Sequence, residues 1–257
     1  MKTKHIIAGL VAASLAVASL AAEAADIHVM SSAGFKAAYL ELVQQFEQKT
    51  GHHVINAWGP SMGATPQAVP NRIARGEPVD VVIGVREALD KLAARGKLVS
   101  ETDLAKAQIG AVVRAGAPHP DISSVEAFKR ALENAKSIAY SDSASGVYIQ
   151  TVIYPKLGVS EAVKARSRMI PADPVGEVVA RGEAELGFQQ ISELKPVKGV
   201  DLLGPIPADI QKVTTFTAGL AASAKEREAG EALIEFLAAP EAIDAIRKSG
   251  MEPARGE

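Results

Sequence analysis

The chain has 257 residues, of which 47% are apolar, 23% charged and 4% aromatic, a balance that supports buried cores and excludes disordered and collagen-like classes. With 28 Lys and Arg against 30 Asp and Glu the formal charge is −2, so there is no basic excess to neutralise a phosphate backbone and no nucleic-acid partner is expected. Cysteine is absent, which removes disulfides, thiolate metal sites and cysteine nucleophiles and leaves any site chemistry to oxygen and nitrogen groups.

In chain order, Lys2, Lys4 and His5 precede a small-residue apolar run from Ile6 to Leu20 that ends at Ala22-Glu23-Ala24. That pattern predicts a signal peptide over residues 1–24, cleavage near Ala25, a periplasmic location and a mature charge of −3. The remaining length predicts two lobes: residues 25–104 open the first, 105–212 form the second and 213–257 return to the first. Ile27 to Met30 reads as a strand, Ser31 to Gly34 as a turn, and Phe35, Tyr39, Leu42, Val43 and Phe46 as the apolar face of a helix ended by Gly51. His53 to Trp58 predicts a second strand, and Gly59 to Gly63 a tight turn leading straight into a helix that runs toward Ala74 and closes at Arg75-Gly76. Val79 to Ile83 reads as a strand buried on both faces, followed by a helix over Glu87 to Ala94.

The alternation restarts with a strand over Ile109 to Arg114 and a helix whose capping box pairs Ser123 with Glu126. Ser137 to Tyr140 predicts a strand, Ser141 to Gly146 a turn, and Val147 to Leu157 a helix interrupted by Pro155; a helix over Val175 to Arg181 and a strand over Leu186 to Gln190 follow. Val213 to Ala222 reads as extended, and Glu226 to Leu237 and Pro240 to Ser249 as amphipathic helices that pack back onto the first lobe. The fold class is therefore α/β: two Rossmann-like lobes, each a mostly parallel sheet covered by helices, with hinges near Asp103 and Val213.

Three small, polar turns follow predicted strands and precede predicted helices: Ser31-Ser32-Ala33-Gly34, Gly59-Pro60-Ser61-Met62-Gly63 and Ser141-Asp142-Ser143-Ala144-Ser145-Gly146. First-turn amides are unpaired and carry the positive end of the helix dipole, and serine hydroxyls add donors without charge, so each turn can cradle an anion. Plain N-capping explains any single serine turn as well. Three of them beyond the carboxyl ends of strands favour a shared anion site. Gly59-x-Ser61-x-Gly63 also fits a hydrolase nucleophile elbow, whose histidine would follow the serine. Only His119, in a Pro-flanked loop, meets that order; His28, His52 and His53 come earlier. Nothing resembles a His/Glu metal cluster, so neither metal nor cofactor is expected. Arg72, Arg86, Arg166 and Arg168 are the candidate cationic clamps, with a solvated helix face as the commoner fate of arginine.

A resemblance spans nearly the whole mature chain. It is carried by Ser31-Ser32-Ala33-Gly34-Phe35, Phe46-Glu47-Gln48-Lys49-Thr50-Gly51, the run Arg75 to Ile83, Ser141 to Gly146, Arg181 to Gly187, and Phe236 to Ala242. Together these resemble the molybdate-binding-protein-like branch of the type II periplasmic substrate-binding proteins. The resemblance implies two lobes joined by a double crossover, a cleft that closes on a small anionic ligand, and delivery to the permease of an ABC transporter; a monomer is expected. Carried over, the family's serine contacts fall on Ser31 or Ser32 and on Ser61, and its backbone contacts near Ser145 and Val175. With the adjoining turn residues, the expected ligand site comprises Ser31, Ser32, Gly34, Ser61, Met62, Ser143, Ser145, Gly146, Val175 and Gln190. Where molybdate binders close the pocket with a tyrosine, this chain has Gln189-Gln190, and a primary amide that donates and accepts suits an organic acid as well as a tetrahedral oxyanion. The branch also contains isomerases of the aconitate type, which move a proton and a double bond in a tricarboxylate. For that chemistry Tyr148, His28 and His119 are the bases to consider. Capture without covalent change is the leading expectation, isomerisation the alternative.

Overall fold

Val81–Val85 and Leu186–Gln190 are buried along their whole length, which requires cover on both faces and places each at the heart of a layered α/β unit. The computed structural model describes residues 24–63, 65–171 and 173–254. The expected export segment lies, apart from Ala24, outside them.

The first lobe opens with β1 (Asp26–Ser31), α1 (Lys36–Thr50), β2 (His53–Trp58), α2 (Val69–Ala74), β3 (Val81–Val85), α3 (Arg86–Ala93) and β4 (Leu98–Ala107). The second holds β5 (Ile109–Arg114), α4 (Val125–Asn134), β6 (Ile138–Ser141), α5 (Ala144–Tyr148), α6 (Tyr154–Leu157) and α7 (Glu161–Ala165). It continues with β7 (Ser167–Ile170), α8 (Val175–Ala180), β8 (Leu186–Gln190), α9 (Ile191–Leu194) and β9 (Val200–Pro205). The chain then returns to the first lobe as β10 (Thr214–Ala221), α10 (Arg227–Leu237), α11 (Ile243–Lys248) and β11 (Glu252–Pro253). Strand order is β11-β4-β10-β3-β1-β2 in one sheet and β7-β6-β8-β5-β9 in the other. The crossings fall between Ala107 and Ile109 and between Pro205 and Thr214. Gln211 ties them together, its Oε1 accepting from the Ile109 amide and its Nε2 donating to the Ile109 carbonyl, both at 2.9 Å.

Both sheets are mixed rather than mostly parallel. β1 runs parallel to β2 and β3, and β6 to β7 and β8, but β10 and β5 are antiparallel to both of their neighbours. β5 and β10 are the strands that enter from the opposite lobe, so they run against the strands built by local βαβ units. Four strands lie outside the predicted set because their patterns carry no apolar alternation: β4 and β9 are half-exposed for much of their length, β7 buries only Ile170, and β11 spans just two residues. β4 also carries the first sheet past Asp103.

Local boundaries moved for identifiable reasons. The cap of α4 is Ser124, whose Oγ accepts from the Ala127 amide at 3.1 Å, one residue after the predicted Ser123. α2 starts at Val69 with Pro70 in its first turn, so Ser61 lies in a loop and not at a helix start. The helix expected from Val147 begins at Ala144 and widens into a π-helical turn over Ile149–Ile153 before α6. Pro155 lacks the amide that an α-helix would turn toward the Thr151 carbonyl.

α1 buries Ala38, Tyr39, Leu42, Val43 and Phe46, and α10 buries Leu233 and Leu237 completely against the same core. Each such leucine contributes about 1.5–3 kcal/mol. Asp80, 2% exposed, fastens α10 to the sheet. Its Oδ1 accepts from the Lys225 and Glu226 amides at 2.7 and 3.1 Å and its Oδ2 from the His28 amide at 2.8 Å. Asp80→Ala strands these donors in a water-poor site, and urea denaturation is expected to show a loss of at least about 1–3 kcal/mol; an unchanged midpoint would show that water replaces the carboxylate.

Candidate functional site

The parallel strands end together. Ser31, Trp58 and Val85 close β1, β2 and β3, and Ser141, Ile170 and Gln190 close β6, β7 and β8. These two edges border a cavity of about 390 Å³ between the lobes, where ligands of open α/β sheets bind. Of the sequence-predicted residues, Ser32, Gly34, Ser61, Met62, Ser143, Ser145 and Gln190 line it.

Ser31, Gly146 and Val175 do not. The Ser31 hydroxyl donates to the Ser32 carbonyl at 3.2 Å. Gly146 serves packing: a Cβ there would meet the Ser141 carbonyl oxygen at 1.7 Å, so only glycine allows the turn to lie this close. The Val175 amide, expected to face a ligand, donates at 2.9 Å to Oε1 of Gln189.

Each serine has a distinct situation. Ser61 Oγ accepts from the Val85 amide at 3.1 Å, which commits one lone pair to the frame and leaves its proton unengaged. Ser141, Ser143 and Ser145 form a ring of hydroxyls with Oγ–Oγ distances of 2.8, 3.0 and 3.4 Å. Ser32 Oγ is buried and has no hydrogen-bond partner, and neither has Oε1 of Gln190, whose Nε2 donates to Thr214 Oγ1 at 2.9 Å. Unsatisfied buried polar atoms are costly, and here one donor-acceptor and one acceptor stand open on the cavity wall. Apolar surface completes the walls through Trp58, Pro60, Met62, Val85, Pro171, Pro174 and Phe216. At one corner the lobes touch: Ser192 Oγ donates across the cleft to the Gly34 carbonyl at 2.7 Å.

No lysine or arginine lines the cavity among the described residues. Arg72 pairs with Glu77 at 2.7 Å, Arg86 with Asp103, Arg168 with Glu183 at 3.7 Å, and Arg166 donates to the Leu132 and Glu133 carbonyls at the end of α4. The bases expected for isomerisation also lie elsewhere. His28 sits 3.6 Å from Asp80, His119 pairs with Asp201 at 3.1 Å on the second lobe, and Tyr148 stacks under Lys212. The elbow reading fails with them, since Ser61 has neither a helix start nor a histidine beside it.

The acid-base group that does line the cleft is Glu193, with Asp142 and Asp173. Sequence reasoning passed over it because α9 is too short to show a period. The available signal was Gln189 and Glu193 four apart across a strand-to-helix junction. Gln189 Nε2 donates to Glu193 Oε2 at 2.5 Å. Glu193 is half-buried on the cavity wall, and desolvation pushes its carboxyl up to about 7; the Gln189 bond pulls it down and the Asp142 charge adds a smaller rise.

Protonated Glu193 is favoured in the folded chain, so between the ordinary value of 4.5 and about 7 the folded state holds a proton that the unfolded state releases. Stability contributed this way is complete below that window and is lost as pH rises through it. Glu193→Gln removes that slope: calorimetric melting across the window should show the variant gaining on the parent as pH rises, and parallel curves would contradict the burial of this charge.

A family model described as bacterial extracellular solute-binding protein matches residues 27–252. Aconitate isomerase of Pseudomonas sp is 49% identical over 227 residues, covering 88% of this chain and 87% of that one. Molybdate-binding protein ModA of Azotobacter vinelandii is 28% identical over 255 residues, covering 94% and 95%. In structure, the periplasmic molybdate-binding protein of Azotobacter vinelandii superposes with a TM-score of 0.70 at 21% identity, over 90% of this chain and all of that one.

Proposed function

We propose, from the premise that this chain belongs to the bacterial extracellular solute-binding protein family, that its cleft captures an unsaturated tricarboxylate of the aconitate type and interconverts the cis and trans forms in the periplasm. The observation that carries the capture is the buried Ser32 hydroxyl without a partner, from the first lobe, facing one cavity with the serine ring of the second lobe. With the free Ser61 proton they form a set of neutral donors suited to several carboxylate oxygens, and Gln190 Oε1 adds an acceptor for a protonated carboxyl. About 390 Å³ with apolar walls suits a carbon skeleton; a single tetrahedral oxyanion would leave most of it unfilled. Conversion is supported by the similarity to the relative named aconitate isomerase. The N-terminal pattern and the family description support the periplasmic setting.

Capture for an ABC transporter without conversion is the second reading, favoured by the family description and the molybdate-binding relatives. One experiment separates the two. Purified protein is mixed with trans-aconitate and the cis isomer is followed by proton NMR. Sustained turnover is expected; binding without turnover would leave capture as the function, and no binding would remove the tricarboxylate. In calorimetry, Ser61→Ala should weaken tricarboxylate affinity by about 1–3 kcal/mol, because a guest oxygen loses its donor in a dry site. Equal affinity would take Ser61 out of the cradle.

A further inference from the structure

We infer, on the footing of the isomerase reading above, that Glu193 is the catalytic acid-base residue of the cleft and that Gln189 is its positioning residue. α9 follows β8 without an intervening loop, so the Gln189 amide at the strand end and the Glu193 carboxyl on the first helical turn meet directly. Gln189 is held at both ends: its Oε1 takes the Val175 amide at 2.9 Å and its Nε2 pins Glu193 Oε2 at 2.5 Å. One carboxyl oxygen is thereby fixed and the other remains for the guest. The Ser192 to Gly34 bond holds the same short helix against the first lobe, which puts the carboxyl where the two walls meet.

The surrounding charges suit proton transfer. Asp142, from the turn after β6, and Asp173, from the segment before α8, are the other ionisable groups on the cavity wall, and Asp173 reaches outward to Arg181 at 3.3 Å. With no lysine or arginine on the cavity wall among the described residues to lock it as an ion, Glu193 is pushed up to about 7, mainly by desolvation. A receptor that only holds anions is weakened by a carboxylate facing its guest, whereas a proton-shifting site requires one.

The step balances without a co-reactant. Ionised Glu193 takes a proton from the substrate methylene next to a carboxylate, and the freed pair forms a new carbon–carbon double bond to the adjacent carbon. The electrons of the original double bond move to its far carbon, which takes the proton back from Glu193. Nothing is oxidised or reduced, and the carboxylate is regenerated. The serine hydroxyls hold the substrate carboxylates, and Gln190 Oε1 is open to a protonated carboxyl, while charge spreads over the allylic carbons.

Turnover of trans-aconitate is measured for the parent chain, Glu193→Gln, Asp142→Asn and Gln189→Ala, with calorimetric binding of the same compound. For Glu193→Gln a fall of about 10²- to 10⁴-fold in kcat is expected, with binding retained because the amide keeps the size and can still pair with Gln189. Parent kcat/KM should rise with pH through a midpoint near 7, since the ionised form accepts the proton. Gln189→Ala removes a donor that favours that form, so the midpoint should move upward, a change that mere loosening of structure would not produce. Parent turnover that survives in Glu193→Gln, or that is lost in Asp142→Asn instead, overturns the assignment while leaving the isomerase reading intact. An unmoved midpoint in Gln189→Ala overturns the positioning role. A parent chain that binds without turning over overturns the isomerase reading and the Glu193 assignment with it.

Discussion

A cleft with no lysine or arginine on its wall, among the described residues, can hold a negative guest only through dipoles. That constraint organises the rest of the site. Hydroxyls and amides are weak donors singly, so several must converge, and convergence demands that the strand ends of both sheets open on one gap. The parallel triplets β2-β1-β3 and β7-β6-β8 supply it by ending at the same edge. Small residues follow these ends because backbone must come close to backbone there. Gly34 lies under the Phe216 ring, which a Cβ would meet at 2.1 Å, and Gly146 lies against the Ser141 carbonyl.

The hydroxyls divide the labour by what else they bond. Ser61 accepts from the Val85 amide with its proton unengaged, whereas the ring of Ser141, Ser143 and Ser145 must turn a proton outward to meet a guest. Ser32 has no competing partner at all. The first lobe therefore presents donors that are already unengaged, and the second presents donors that are released on contact. Closing the cleft around a guest would satisfy both sets, and Ser192 and Gly34 already touch across one corner of it.

The same exclusion of cations bears on Glu193. A buried carboxyl beside a guanidinium would remain ionised across the working pH range; one beside an amide and another carboxyl holds its proton to about neutrality. Of the arginines weighed as clamps, Arg72, Arg86 and Arg168 pair with carboxylates away from the cavity wall and Arg166 donates to carbonyls at the end of α4, so none is set beside the acid. Gln189 replaces them with a neutral donor that orients the group without fixing its charge.

Much of this was legible in the chain itself, for a physical reason: turns, caps and buried strands are local. The serine turns, Gly51 as a left-handed helix end at φ 77°, the doubly buried strand around Val82 and the apolar face of α10 all follow from spacing and residue type. The motifs also pointed to the lobed α/β fold. What residue order could not decide was which of these local pieces face one another. Strand direction in β5 and β10 depends on entry from the other lobe, and β4, β7 and β9 hold their places through neighbours, not through their own pattern. The diversion of the Val175 amide to Gln189, the removal of His28, His119 and Tyr148 from the cleft and the arrival of Glu193 in it are of the same kind. Each is a contact or separation between segments distant in sequence or joined at a junction too short to carry a period, and only packing in three dimensions sets it.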